Sequence, residues 1–135
     1  MKRLQSAQHA LARVILQQRS RARSTPLMQQ CHWLPIVWRI RFKLATLAYK
    51  ALHTGRLPHL ADLIQLHTTP KSTRSSSSQL LFVPRHNLSF GSRAFCVSAP
   101  NVWNTLPLHI RQSQSLSGFR CHLKTHYFQL AYPAT

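Results

Sequence analysis

One acidic residue, Asp62, stands in a chain of 135. That scarcity excludes more chemistry than any motif in the sequence could assign. Two-metal phosphoryl transfer needs several carboxylates around its ions, and glycoside hydrolysis normally needs a carboxylate pair. Asp62 alone supplies neither, so polymerase, nuclease and common glycosidase activities are not expected. Cysteine is also sparse and odd in number. Cys31, Cys96 and Cys121 lie far apart without a CxxC pair, which is no disulfide framework. The stretch "CHLKTH" holds Cys121, His122 and His126, but structural zinc takes four ligands and no second pair completes the set. An apolar cysteine beside polar helix-face histidines accounts for it. Serines and histidines are plentiful, yet no G-x-S-x-G elbow presents one as a nucleophile. No apolar run approaches the roughly 20 residues of a spanning helix, so no membrane span is expected. No catalytic residue, metal ligand or cofactor site follows from these residues.

What is abundant is positive charge. Eighteen Lys and Arg against one acid give 18 − 1 = +17. Self-repulsion of this size opposes compaction and favours polyanionic partners: RNA, DNA, an anionic membrane surface or an acidic protein. The length is that of one domain and allows a real core. The first 24 residues, "MKRLQSAQHALARVILQQRSRARS", share the Arg-rich, acid-free, periodically apolar composition of mitochondrial transit peptides. The whole chain is almost free of acids, so the stretch is not distinctive, and a nuclear or cytoplasmic location is expected before a mitochondrial one.

The periodicity predicts a mainly α fold of five or six short amphipathic helices, with a polar Ser-rich linker and one short extended segment. Leu4, Ala7, Leu11, Val14 and Ile15 recur at helical spacing and predict a first helix of about four turns. The basic link "RSRARST" follows. Thr25 and Pro26 together read as a cap and first helical position for a short helix to about Cys31. "HWLP" breaks it, because Leu34 precedes Pro35. From Ile36 to about His53 the chain is apolar around most of a helix, with Arg39, Lys43, Thr46, Lys50 and His53 on one narrow stripe, so this helix should be central and buried. Arg41 projects from the apolar arc. It either snorkels or forms a structural ion pair with Asp62.

Gly55 reads as the C-cap, and Pro58 starts a further helix that should turn Leu60, Leu63 and Ile64 inward. Residues 67–79, "HTTPKSTRSSSSQ", lack an apolar anchor and read as a flexible basic linker. They separate an N-terminal helical segment, 1–66, from a C-terminal extended segment and helices, 80–135. "LLFVP" has strand composition without a clear pairing partner, and should lie extended across helices. Phe95, Ala99, Val102 and Leu106 are helical in spacing. Pro100 either kinks that helix or begins a new one, and Pro107 stops it. The two prolines confine Trp103 to a short piece that can fold into the core. Leu116, Phe119, Leu123, Tyr127 and Leu130 form the inward stripe of the last helix, with Arg120 and Lys124 elsewhere on its surface.

Read in order, "HWLPIVWRIRFKLATLAYKAL", "GRLPHLADLI", "LLFVPR" and "FGSRAFCVSAPNVWNTLPLHIRQSQSLSGFRCHLKTHYF" resemble the far C-terminal region of non-LTR retrotransposon (LINE-type) reverse transcriptases. "HWLP", "YKAL", "RAF", "AP..WN.LP" and "SL..F...LK" keep the family's order and similar spacing from about Leu4 to Tyr132. The resemblance implies the mostly helical region downstream of the polymerase palm and thumb, one incomplete domain of a larger polyprotein. The polymerase and endonuclease carboxylates are absent, so no catalytic residue carries over. Relatives generally keep several acids here and this chain keeps one, which points to a decayed or truncated element copy.

Distinct functions fit this reading. One is a non-catalytic reverse-transcriptase remnant with weak, sequence-tolerant RNA or DNA binding. Another is a host-retained protein-interaction module, and a third a cationic mitochondrial or membrane-seeking peptide. A translated fragment with no selected function is the fourth. For nucleic acid the candidate contacts are Arg19, Arg21 and Arg23 in the first link, Arg39, Lys43 and Lys50 on the long helix, and Lys71 and Arg74 in the serine linker.

Overall fold

The computed structural model describes residues 1–19, 21–68 and 79–134 and is mainly helical. Among the described residues the elements run α1 (Lys2–Ile15), α2 (Ser24–Gln30), α3 (Ile36–His53), α4 (Pro58–Ala61), a 3-10 turn (Gly91–Arg93), α5 (Phe95–Asn104), α6 (Leu108–Arg111) and α7 (Leu116–Ala131). The chain groups into two compact units. One is Met1–Phe42 with Lys124–Thr135, the other Lys43–Leu123, so α3 and α7 contribute residues to both. The linker expected at 67–79 lies, from 69 to 78, outside the described residues. The segments on either side of that stretch belong to the same unit.

In the first unit Ala12, Leu27 and Met28 form the centre, with Leu16, Ala22, Cys31, Trp33 and Tyr132 packed against them. α1 buries Gln8 and Ala12, while its apolar stripe of Leu4, Leu11, Val14 and Ile15 stays exposed. The reason lies in the break at "HWLP". A non-helical stretch leaves backbone groups that must find partners. Gln8 Nε2 donates to the Leu34 carbonyl at 2.8 Å, the Ile36 amide donates to Gln5 Oε1 at 2.9 Å, and Tyr132 Oη donates to the Trp33 carbonyl at 2.9 Å. Two amide side chains of α1 must therefore face inward, and the aliphatic stripe turns outward.

α2 begins one residue before Thr25. Arg23 is its N-cap residue, with no side-chain capping bond among the described residues, and Pro26 occupies the third position. A proline fits there because the first-turn amides have no helical acceptor in any case.

α3 has the predicted bounds, but its burial is uneven. Ala45, Thr46, Ala48, Tyr49 and Ala51 are buried, whereas Val37, Ile40 and Arg41 near the start are exposed. Thr46, assigned to the polar stripe, is thus a core residue. The buried pair expected of Arg41 and Asp62 lacks the burial it needs. Arg41 is exposed with its guanidinium carbon 5.0 Å from the Trp38 ring centre, and Asp62 is exposed at the C-cap of α4. The arc of α3 that carries Arg41 is not covered at that end of the helix, so its charge stays in solvent over an aromatic face.

In the second unit Trp103 is fully buried, and Phe119 lies between it and Tyr49, with ring centres 5.9 and 4.4 Å away respectively. Gly55, at φ 60°, ends α3 in the left-handed conformation that glycine adopts without a Cβ clash. α4 is a single turn rather than a longer helix. Of the residues expected to face inward, Ile64 is buried, Leu60 half-buried and Leu63 exposed. The chain leaves the helix there to pair. Leu66 and Leu81 form an antiparallel bridge, with the His67 amide donating to Leu80 O and the Phe82 amide to Gln65 O, both at 2.8 Å. The "LLFVP" segment therefore does have a partner, from within the same unit.

α5 passes through Pro100 without breaking, and Pro100 is buried in it. The other edge of the extended segment is held by this helix. Asn104 accepts from the Leu81 amide through Oδ1 at 2.8 Å and donates through Nδ2 to the Leu81 carbonyl at 2.9 Å. Trp103 Nε1 donates to the Gln79 carbonyl at 2.9 Å. "WN" is thus a two-residue clamp on residues 79–81. α6 starts after Pro107, as expected. α7 buries Phe119, Leu123 and Tyr127, and leaves Leu130 half exposed.

Candidate nucleic-acid interface

Arg19, Arg21 and Arg23 occupy the link between α1 and α2, and all three side chains are exposed. The link is fastened where Arg13 Nε donates to the Ala22 carbonyl at 3.3 Å. On α3, Arg39 and Lys43 are exposed and Lys50 is half-buried. Arg39 belongs to the first unit, Lys43 and Lys50 to the second. Lys71 and Arg74 lie outside the described residues. A single carboxylate side chain can neutralise at most one of 18 cations, so the chain stays strongly positive. Exposed cations in solvent can follow a phosphate backbone, which positions a protein on nucleic acid without reading its bases.

One further group escaped the reading of the sequence. Phe90 is 81% exposed and Leu88 74%, on a turn flanked by Arg85, His86 and Arg93. The turn is well made. The Gly91 amide donates to Leu88 O, the Arg93 amide to Phe90 O, and Ser92 Oγ to Ser89 O. Its alternation of cations with apolar residues, "RHNLSFGSR", was legible but has no helical or strand period to single it out. Arg111 is the other surprise. It is buried, and desolvation lowers its pKa.

A polar cleft of about 520 Å³ lies in the second unit, lined by Tyr49, His53, Gln79, Gln112, Ser113 and Gln114. Among the described residues its hydroxyls are engaged with backbone carbonyls. Tyr49 Oη donates to the Ser113 carbonyl at 2.7 Å, and Ser113 Oγ donates to the Ile110 carbonyl at 2.7 Å. The His53 ring lies 4.5 Å from that of Tyr49, and desolvation lowers its pKa. Among the described residues no carboxylate lines the cleft to orient that imidazole. The lining can hydrogen-bond a neutral polar molecule, and it lacks the base–orienter pair of an acyl- or proton-transfer site. Among the described residues no three His, Cys, Asp or Glu side chains gather as metal ligands. Cys121 and His122 are exposed, and the His126 ring faces that of Tyr127 at 5.7 Å.

Comparison with known proteins returned no relative: no family model, no curated protein and no solved structure matches this chain.

Proposed function

We propose that this chain is a non-catalytic segment of the reverse-transcriptase C-terminal type that holds RNA or DNA through its phosphates, with little regard to sequence. The observation that carries the reading is the run of exposed arginines Arg19, Arg21 and Arg23 in a chain of net charge +17. The ordered wording from "HWLP" to "SL..F...LK" supports the origin. The acid count supports the absence of phosphoryl-transfer chemistry, so purified protein is expected to extend no primer and nick no DNA with Mg²⁺ or Mn²⁺.

Phosphate contacts release condensed counterions, so affinity falls as salt rises. With about five phosphates neutralised on a single strand, log K falls with log salt at a slope near −3.5, from roughly −0.7 per contact. Fluorescence anisotropy with labelled single-stranded RNA across a salt series measures this. Replacing Arg19, Arg21 and Arg23 by Ala should flatten the slope by about 2 and weaken unrelated sequences alike. Binding that ignores salt, or that discriminates strongly between unrelated oligonucleotides, would reject the reading.

A further inference from the structure

α1 has three sectors. Gln5, Gln8, Ala12 and Leu16 face the first unit's interior. Lys2, Ser6, His9, Ala10 and Arg13 lie on a second, mostly polar sector. Between them Val14, Ala7, Leu11, Leu4 and Ile15 fall within an arc of roughly 100° at 3.6 residues per turn, bordered on its polar side by Arg3. The four large members of that arc are exposed by 60% (Leu4), 56% (Leu11), 73% (Val14) and 57% (Ile15). The helix is held through its interior sector by the Gln8–Leu34 and Gln5–Ile36 hydrogen bonds. The aliphatic face is therefore presented by an anchored helix and is free without any unfolding.

We propose that this face of α1 lies on an anionic lipid surface, its aliphatic side chains in the acyl boundary and the cations around it among the headgroups. The face and its surroundings make paired demands. A continuous aliphatic stripe calls for an apolar partner, and its surroundings call for an anionic one. Arg3 borders the stripe on the helix, and Arg19, Arg21 and Arg23 follow the helix directly, with no acid before Asp62. A bilayer interface with acidic headgroups offers both properties in one plane, and a basic amphipathic helix of low overall hydrophobicity is the form that binds there. The long Lys and Arg stems can lie along the stripe while their charges reach the headgroups.

A second copy is disfavoured as occupant, because two chains of +17 repel. Nucleic acid meets the charge but leaves the aliphatic face in water. The helix would lie on the surface and not cross it. Its 14 residues span about 21 Å, short of the roughly 30 Å hydrocarbon core.

The test is co-sedimentation of the full chain with vesicles of phosphatidylcholine alone and with about one-third phosphatidylglycerol. The informative variant is Leu11→Gln with Val14→Gln, which keeps the charge and changes only exposed positions. Wild type is expected to bind the anionic vesicles and not the neutral ones. The variant is expected to bind them at least about 10-fold more weakly while keeping its helical circular dichroism and its RNA affinity. Absence of binding to anionic vesicles overturns the proposal. So does equal binding by the variant, since the contact would then be charge alone. Self-association that the variant abolishes, or capture of an acidic protein without lipid binding, reassigns the face and equally overturns it. Because RNA affinity is read in parallel, failure here is distinguishable from failure of the nucleic-acid reading.

Discussion

Tyr127 concentrates two effects in one side chain. It is almost fully buried, its ring 5.2 Å from that of Trp38, and its hydroxyl has no hydrogen-bond partner among the described residues. Burial pushes its pKa up to about 12, against a smaller opposing pull from the Arg41 charge. A buried hydroxyl without a partner costs roughly 1–3 kcal/mol of desolvation. Tyr127→Phe keeps the ring and removes that cost, so it should stabilise the protein by about 1 kcal/mol at neutral pH. The pH dependence has a definite sign. The unfolded tyrosine ionises near pH 10 and the folded one only near 12. Ionisation of Tyr127 therefore takes nothing from wild-type stability well below pH 10 and lowers it as pH rises from there towards 12, a decrement that the Tyr127→Phe variant escapes. Urea midpoints of both proteins between about pH 8 and 11 should show a gap that widens above pH 10. A variant less stable than wild type at neutral pH would mean the hydroxyl has a partner.

The α1 helix reverses the usual rule that the apolar side of an amphipathic helix is the inward side. Two single changes can establish the reversal. Gln8→Ala removes the donor to a buried carbonyl at Leu34 and should cost about 1–2 kcal/mol. Leu11→Gln acts on a side chain already more than half in solvent and should change stability by less than about 0.5 kcal/mol. Thermal or urea denaturation of the two variants decides. A larger loss from Leu11→Gln than from Gln8→Ala would show that the stripe is covered in solution. This element also marks where sequence reading stops. Its helicity was legible from spacing, as were the bounds of α3, the cap at Gly55 and the burial of Trp103, because these follow from local rules. Which face of α1 turns inward was not, since it depends on backbone groups at 34 and 36 that only the folded chain brings to Gln5 and Gln8. The pairing of 65–67 with 80–82 was hidden for the same reason, and so was the grip of Asn104 on Leu81. Pro100 left two readings open, a kink or a new helix start, and the continuous α5 around its buried ring excludes the second. For the candidate interface, the exposed arginines of the first link were readable from their polar surroundings. The buried position of Arg111 and the protruding Phe90 had no periodic signal.

At the scale of the whole molecule the charge and the core oppose each other. The fold buries Trp103, Phe119, Tyr127, Met28 and Leu81 nearly completely, and apolar burial of this kind is the main favourable contribution in a chain of this size. Against it stands +17, with one side-chain carboxylate available for pairing. Like charges within one small molecule raise the free energy of the compact state more than that of the expanded chain, because their mean separation grows on unfolding. Salt removes this penalty as the screening length falls from about 30 Å at 0.01 M to about 3 Å at 1 M. Few attractive ion pairs exist for the same salt to weaken, so the two usual effects of ionic strength do not cancel. Stability should therefore rise monotonically with NaCl, by roughly 1–2 kcal/mol between about 0.02 and 0.5 M. The same range of salt should weaken RNA binding steeply. Urea is the denaturant of choice, since guanidinium is itself a screening salt. Unfolding followed by near-ultraviolet circular dichroism should show the midpoint moving upward at each salt step with an unchanged slope. A midpoint that stays fixed or falls would mean that the cations are not the force opposing the fold, and the electrostatic account of both stability and binding would fall with it.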